Sequence, residues 1–439
     1  MNRKKWASSL LVLSMMSVTA LTGCGKTAET TSATIQPGAS AAASTAGTST
    51  LAKPVKLKLA IWEAQTDIEF WTEKVKEYTK QAPNVTVEIE KVPDNNGQYL
   101  KVRLAANDLP DVFFVKPAQL QVYKQALLPL DDLEATKNNK FPTKIDGQVL
   151  GDPLVSFSEY VYYHPSIFKE LSLEVPKTLP EFEALLDKIK ASGKYIPLSI
   201  GLKDGWTSYP YMEYGPHMLS GDENYLANIA KKDAPFAEGT SFDQAAKFLQ
   251  RISTKKWAGP DALSISFDQS TQAFEAKKAA IIALGQWYYP DYKKKVGNDD
   301  DLAAFPLPWR NSANDPLMSM TMSDMNIGIS KQSKNTDAAK AFVNWMFSKD
   351  VYQTYINKVQ QTSTVNGVTS ELPFFVKSNQ ENPFKPFTYM GTDATYAKVK
   401  GFAQYDPNLV AQDIFSGKSL DSVEKELNDK WKKAIDSSK

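Results

Sequence analysis

Hydrophobic positions recur with two different periods from residue 54 onward. In PVKLKLAIW they fall on every second residue, which predicts a strand, and in IEFWTEKVKEY on every third or fourth, which predicts a helix. VTVEIEKV, QYLKVRLAAN and PDVFFV continue as strand, helix and strand. Strands that alternate with helices in this order predict a parallel α/β sheet.

Helix starts are marked by capping residues at several points of the chain. Thr66 and Glu69 have the spacing of a capping box, in which each side chain bonds the other's backbone N–H. Thr178 and Glu181 have the same spacing, with a proline in the first turn. Asn335 precedes another apolar helical stripe. These signals predict three helices that begin at residues 66, 178 and 335.

The N-terminus has the pattern of a cleaved export signal. Basic residues 3–5 precede a mostly apolar stretch, 6–21, that is short for a membrane span of about 20 residues. Leu-Thr-Gly then leads into Cys24, the only cysteine, and resembles a bacterial lipobox. That resemblance implies cleavage of a signal peptide, residues 1–23, and a diacylglyceryl thioether on Cys24. Two acyl chains anchor a protein durably. A plain secretory signal or an uncleaved membrane helix are the alternatives.

The segment after the cysteine has the composition of a flexible tether. Ala, Ser and Thr make up 19 of the 29 residues from 25 to 53. So few apolar side chains do not repay the entropy of ordering the chain. We therefore expect residues 24–53 to form a lipidated tether with a typical span of roughly 30 Å, and the folded body to begin near Lys53.

Composition excludes some classes of protein. The chain carries 51 basic and 50 acidic residues, so no basic surplus points to nucleic acid. Two histidines and one cysteine do not support a His or Cys metal site or a disulfide framework. We expect no metal, cofactor or nucleic acid. A length of 439 residues allows roughly two to three domains.

Six segments in sequence order resemble the extracellular solute-binding protein family that serves carbohydrate ABC importers and includes maltose-binding protein. Each segment is a weak signal alone, but together they span about 380 residues. The chain departs from the family at His164, where Asn is usual, and at Lys277-Lys278, where Gly-Lys is usual. The segments are KLKLAIWE, AANDLPDVFFV, VYYHPSIFKELSLEVPKTLPEFEALLDKIKASGKYIPL, KKAAIIALGQW, GISKQSKNTDAAKAFVNWMFSKDVYQTY and FSGKSLDSVEKELNDKWKKAI.

The resemblance implies an α/β fold of the type II periplasmic-binding-protein kind. Two hinged lobes, each a sheet flanked by helices, would close on a ligand. Each lobe would be built from two pieces of chain. We expect residues 54–158 and 305–357 in the first lobe and residues 159–304 and 358–439 in the second.

The resemblance also implies the function. The protein would be a monomeric substrate-binding component of an ABC importer, anchored on the outer face of the cell membrane through Cys24. It would capture a carbohydrate, expected to be an oligosaccharide, and deliver it to the permease. Neither the sugar nor the type of cell envelope follows from the sequence.

A sugar needs a flat aromatic group for its apolar face and charged or amide groups for its hydroxyls. Trp287 ends the predicted buried strand AAIIALGQW, and the resemblance places a sugar-stacking tryptophan there; Asp204 and Trp206 match a family acidic-aromatic pair. The alternatives are core packing for the tryptophans, a helix cap for Asp67 and a solvated rim position for Lys116. The predicted ligand-binding residues are Trp62, Glu63, Asp67, Lys116, Glu159, Asp204, Trp206, Trp287 and Asp324.

Three other functions remain as alternatives. Another polar solute is possible because a fold does not fix a function. A surface glycoside hydrolase needs two carboxylates that flank a cleft, but no catalytic motif appears, so we expect no enzyme. A copper-binding lipoprotein is suggested by the soft thioethers of Met318, Met320, Met322 and Met325, although alternating methionines are also typical of adaptable packing.

Overall fold

The structure is a computed structural model that describes residues 53–62, 65–93, 97–389 and 393–438. The predicted signal peptide, the tether with Cys24, and Glu63 lie outside the described residues. None of the described helices has both the length and the apolar character needed to cross a membrane.

Strands and helices alternate over residues 55–115, as the hydrophobic periods predict, whereas runs of consecutive helices occur later in the described part of the chain. The strands are β1 (Val55–Trp62), β2 (Val85–Val92), β3 (Val112–Val115), β4 (Thr143–Ile145), β5 (Gln148–Tyr163), β6 (Ile196–Ser199), β7 (Ala279–Gly285), β8 (Ala303–Phe305), β9 (Met318–Ile329) and β10 (Lys385–Tyr389). The α-helices are α1 (Gln65–Gln81), α2 (Gln98–Ala105), α3 (Leu120–Tyr123), α4 (Glu134–Asn138), α5 (Pro165–Glu170), α6 (Leu179–Ala191), α7 (Tyr209–Met212), α8 (Gly215–Ser220), α9 (Tyr225–Ile229), α10 (Ser241–Thr254), α11 (Phe267–Glu275), α12 (Tyr288–Val296), α13 (Thr336–Met346), α14 (Lys349–Val359), α15 (Pro373–Glu381), α16 (Ala394–Ala403), α17 (Pro407–Phe415) and α18 (Leu420–Ser438).

The predicted parallel sheet is confirmed for the first three strands, because β1 pairs in parallel with both β2 and β3. β6 and β7 form a second parallel pair. The main strand order is β2-β1-β3-β9-β5-β7-β6, with β10 on β9 and with β4 and β8 on β5. Both parallel groups are joined through the long strands β5 and β9, which pair antiparallel with each other.

Buried apolar side chains form two separate cores. The first core, as we call it below, draws its buried side chains from residues 57–155 and 325–368. The second core draws them from residues 157–322 and 375–435. Each core therefore combines two pieces of chain. The exact lobe boundaries stay a prediction.

The long strands β5 and β9 contribute to both cores. On β5, Val155 belongs to the first core and Phe157 to the second. On β9, Met322 belongs to the second core and Met325 to the first. Met325 has a φ of 55°, which is uncommon for a residue with a side chain. This unusual backbone conformation lies where β9 passes from one core to the other.

The predicted helix caps have different outcomes. The Thr178 hydroxyl accepts a hydrogen bond from the Glu181 N–H at 3.3 Å, which confirms the predicted start of α6. Helix α13 begins directly after Asn335, which confirms the predicted start, but the Asn335 side chain makes no capping bond. Helix α1 begins at Gln65, one residue before the predicted cap Thr66. A short polar side chain before a helix has other partners to choose from, and tertiary contacts decide among them.

His164, where the chain departs from the family pattern, is fully buried. Its Nδ1 lies 3.0 Å from the Asp301 carbonyl and its Nε2 lies 2.8 Å from the Phe274 carbonyl. The imidazole therefore joins three segments around the second core, and its contacts are structural.

Candidate carbohydrate-binding site

Two predicted residues lie together where neighbouring parallel strands end. Trp62 is the last residue of β1, and Lys116 directly follows β3. The Lys116 ammonium lies 5.5 Å from the centre of the Trp62 ring, and the Trp62 ring meets Phe114 edge to face at 6.2 Å. Ligands of α/β proteins bind outside the carboxyl ends of strands. This edge of the sheet therefore carries an aromatic ring and a cation, and the Trp62 ring is largely buried in the first core.

Asp67 lies in the first turn of α1, next to this edge. Its carboxylate is buried and accepts a hydrogen bond of 2.8 Å from the Tyr355 hydroxyl. Burial raises the pKa of Asp67 to about 7; the Tyr355 bond opposes this rise and the Asp291 carboxylate adds to it. The structure thus gives Asp67 a buried partner in addition to its place at the start of the helix.

Trp206 and Trp287 lie side by side, with their ring centres 5.9 Å apart. Trp206 stacks nearly parallel to Tyr209, at 6.2 Å and an interplanar angle of 13°, and contacts Phe267 at 4.8 Å. We call Trp206, Tyr209, Phe267 and Trp287 the aromatic cluster. Both tryptophans are only partly buried, so neither is sealed inside the second core.

Trp287 reaches this position by folding back over the end of a strand. Strand β7 ends at Gly285, two residues earlier than the prediction that Trp287 ends it. A Cβ atom on Gly285 would lie 2.5 Å from the Trp287 Nε1. A side chain at residue 285 would therefore displace the indole, so this glycine is needed for a close approach and not for an unusual φ.

Glu159 adds a buried carboxyl group beside the aromatic cluster. It pairs with Gly285 across β5 and β7, and only 8% of its surface is exposed. Its Oε2 accepts a hydrogen bond of 2.9 Å from the Tyr209 hydroxyl, which in turn accepts one of 3.0 Å from the Gly285 N–H. Among the described residues, Oε1 has no partner.

The electrostatic surroundings of Glu159 favour its neutral form. Burial raises its pKa to about 8; the Tyr209 bond and the Lys116 charge lower it, while Glu213 and Asp324 raise it further. Lys116 and Asp324 lie on the side of the first core. The carboxyl group thus senses charges from both parts of the molecule.

Asp324 lies on β9 opposite Val155. Only 7% of its surface is exposed, and within the described structure its Oδ1 has no hydrogen-bond partner. Burial raises the pKa of Asp324, while Lys116 and the Met325 backbone oppose the rise. A buried acceptor without a partner is costly, and a ligand donor is one way to satisfy it.

Asp204 has a contact that the sequence did not suggest. Its side chain is exposed, and its Oδ2 accepts a hydrogen bond of 2.5 Å from the Phe267 N–H at the start of α11. This bond places Phe267 against Trp206. One of the two carboxylate oxygens of Asp204 therefore helps to position the aromatic cluster. Its role as a direct ligand contact stays a prediction.

The structure adds three residues that the sequence reasoning missed. Tyr209 links Glu159 to the aromatic cluster, and Tyr355 binds Asp67. The Gln286 Oε1 accepts a hydrogen bond of 2.8 Å from the Ser158 N–H, next to Glu159. Tyr209 and Gln286 lie within three residues of predicted tryptophans, and this proximity was the available signal. Tyr355 lies far from them in sequence and has no such signal.

A small cavity is lined in part by Glu159. Tyr214, Trp309, Met318 and Ser319 are among its lining residues, whereas Trp206 and Trp287 do not line it. The cavity is thus mostly bounded by the second core. We place the candidate site at the two tryptophans because sugar recognition needs their partly exposed faces.

No group of three or more His, Cys, Asp or Glu side chains in the described ranges is arranged to bind a metal ion. Met320, Met322 and Met325 are buried. The Met322 sulfur lies 2.6 Å from the Tyr214 hydroxyl and the Met325 sulfur 3.6 Å from that of Tyr355. These thioethers pack against tyrosines, so their contacts give no support to the copper alternative.

Comparisons with known proteins agree with the geometry. A family model described as "Bacterial extracellular solute-binding protein" matches residues 63–353. The Multiple sugar-binding protein of Streptococcus mutans is 25% identical over 367 residues, covering 76% of this chain and 82% of the relative. The Melibiose/raffinose/stachyose-binding protein MelE of Bacillus subtilis is 20% identical over 321 residues, covering 71% and 74%.

A solved structure has the same fold. It is BlMnBP1, a binding protein of an ABC transporter from Bifidobacterium animalis subsp. lactis, in complex with mannobiose. The TM-score is 0.75 at 19% identity, over 88% of this chain and 95% of the other. This likeness confirms the predicted two-lobe, type II periplasmic-binding fold.

Proposed function

Because this chain belongs to the bacterial extracellular solute-binding protein family, we propose that it is the carbohydrate-binding component of an ABC importer. The observation that carries this proposal is the pair of partly buried tryptophans, 5.9 Å apart, next to the buried carboxyl group of Glu159. The relatives and the solved structure are named as binding sugars or oligosaccharides, and this supports a carbohydrate as the ligand class.

Recognition follows from the chemistry of the two partners. The apolar face of a sugar ring stacks on the Trp287 indole and on Trp206, which remove that face from water. The unpartnered oxygens of Glu159 and Asp324 form hydrogen bonds with sugar hydroxyls. Trp62, Asp67 and Lys116 border the ligand from the first core, and Asp204 borders it from the second. Glu63 stays a prediction from the sequence.

Closure follows from the placement of these groups on two cores. A ligand that touches both sides makes all its contacts only when the sides are close together. This difference in affinity shifts the population toward the closed form. The closed form then delivers the sugar to the permease, and no bond of the sugar is broken.

The N-terminal pattern completes the proposal. Cys24 carries the lipid, and residues 24–53 connect it to the body on the outer face of the membrane. A monomer on such a tether samples ligand close to its permease.

A thermal-shift screen of mono- and oligosaccharides against the protein tests the proposal. A ligand present at 100 times its Kd stabilises the native state by about 2.7 kcal/mol. We expect at least one sugar to raise the melting temperature and to remain chemically intact. Failure of every sugar, together with stabilisation by another polar solute, would favour that solute instead. Release of reducing sugar would favour the hydrolase alternative.

A further inference from the structure

Helices α1 and α12 face each other although they pack on different cores. α1 buries Trp71 and Val75 in the first core, and α12 buries Tyr288 and Tyr292 in the second. Contacts between these helices therefore join parts of the molecule that the proposed closure brings together.

Two polar contacts connect the helices. The Thr66 hydroxyl donates a hydrogen bond of 2.7 Å to the Asp291 Oδ1. The Lys294 Nζ lies 2.5 Å from the Glu69 Oε1. Thr66 is buried, whereas the side chains of Lys294 and Glu69 are 45% and 47% exposed. The two contacts thus form an inner hydrogen bond and an outer ion pair.

The sequence spacing of Thr66 and Glu69 is that of a helix cap, but these side chains reach to another helix. The three consecutive lysines of α12 also have different partners. Lys293 pairs with Asp299 and Lys295 with Glu275, both at 3.3 Å, and both acids lie in the chain segments that build the second core. Within the described structure, Lys294 alone of these three consecutive lysines forms an ion pair with α1.

We propose that these four residues, Thr66, Glu69, Asp291 and Lys294, form a latch that favours the closed form before any ligand is bound. The proposal rests on the proposed function, because closure matters only for a protein that captures a ligand between two lobes. A ligand that binds the closed form has an apparent affinity proportional to the fraction of molecules already closed. The latch residues thereby determine affinity without contacting the sugar.

The latch lies next to the candidate site. Asp67, a predicted ligand residue, follows Thr66 directly, and its carboxylate is close enough to Asp291 for the two to repel each other. A change at the latch is therefore positioned to act on the site through the start of α1.

Spin labels on the two sides of the cleft test the latch without a ligand. The background is the full chain with Cys24→Ser, which removes the native thiol. Lys76→Cys, at an exposed position of α1, and Gln272→Cys, at an exposed position of α11, carry the labels. We expect a short label-to-label distance to be populated in this background and reduced by Thr66→Val combined with Lys294→Gln. Lys295→Gln, which removes the neighbouring charge from α12, is the matched control and should leave the distances unchanged.

A charge exchange separates the latch from a general disturbance. Glu69→Lys or Lys294→Glu alone should reduce the short-distance population, and the two together should restore it. Circular dichroism establishes that each variant is folded. An unchanged distance distribution in folded latch variants, or a background without the short distance, overturns the latch.

The affinity for a sugar found by thermal shift provides the second measurement. Thr66→Val should weaken it about tenfold, the effect of losing one hydrogen bond to a charged group, and Lys295→Gln should not. The two proposals fail in different ways: absence of any sugar ligand contradicts the proposed function, whereas unchanged ligand-free distances contradict the latch alone.

Discussion

Trp287 is the residue on which the proposed stacking depends most. Its indole lies over Gly285 and beside Trp206, partly exposed to the site. We expect Trp287→Ala to weaken sugar binding by about 1–3 kcal/mol, the contribution of a buried aromatic contact. Calorimetry with the identified sugar measures this loss.

Trp345 provides the control for this substitution. It is also partly buried, but it packs on Tyr78 and Phe342 in the first core. Trp345→Ala should lower stability and leave the sugar affinity unchanged. Equal affinity for Trp287→Ala and the unsubstituted protein would remove Trp287 from the site.

The buried carboxyl group of Glu159 should make the protein less stable as the pH rises. Its pKa is raised to about 8 in the folded protein by burial, so the native state retains a proton that the unfolded chain loses near pH 4 to 5. The free energy of unfolding therefore falls as the pH rises from about 5 to about 8, and it levels off above that range.

Glu159→Gln should remove its share of this slope, which for one proton is about 1.4 kcal/mol per pH unit. The shares of Asp67 and Asp152, whose pKa values burial raises to about 7, should remain. Urea denaturation at several pH values measures the slope. Glu73→Gln, at an exposed position, is the control. A slope that is identical in the two variants contradicts the raised pKa of Glu159.

At the scale of elements, the segments that cross between the cores are tied together by side chains and backbone. Ser156 and Thr362 exchange two backbone hydrogen bonds, of 2.9 and 2.7 Å. The Gln286 Oε1, from the turn after β7, accepts the Ser158 N–H at 2.8 Å. The turn that presents Trp287 is thus fixed to the crossing part of β5.

Gln286→Leu should lower the free energy of unfolding by about 1–3 kcal/mol, because the buried Ser158 N–H then lacks its acceptor. Chemical denaturation measures the change. Gln272→Leu, on the exposed face of α11, should change stability by less than about 0.5 kcal/mol. Similar effects of the two substitutions would show that the Gln286 bond contributes little.

At the scale of the whole molecule, two cores share one continuous set of paired strands. β5 and β9 belong to both cores, so we expect the proposed closure to bend the chain at the few residues where these strands pass from one core to the other. Hinges generally consist of such a few positions that absorb the backbone change. Met325, with its φ of 55°, lies at this passage between the cores.

Attachment to the membrane is the prediction that concerns the chain as a whole. Cys24→Ser removes the thiol that the proposed lipid modifies, so we expect loss of palmitate labelling and release of the protein from the membrane fraction. Thr27→Ser, three residues later in the tether, should change neither. Unaltered labelling of the Cys24→Ser protein would exclude lipidation at this position.

The alternation of strands and helices was predictable where local signals were strong. Apolar periods placed β1, α1, β2, α2 and β3 in order, because each period follows from one buried face. Details that depend on distant partners were not predictable. The Thr66 side chain reaches Asp291, 225 residues away. The position of Trp287 depends on a turn in which its indole lies close to Gly285.

Local spacing and composition in the sequence are enough to predict the early strands and helices, the export pattern, the family resemblance and the types of side chain available for sugar binding. Which residues meet depends on the folded chain. The tertiary structure put Tyr209 on Glu159, Tyr355 on Asp67, and Lys116 near carboxylates from both cores. The reason is physical: burial and pairing of a polar group depend on neighbours from distant parts of the chain, and no local pattern records them.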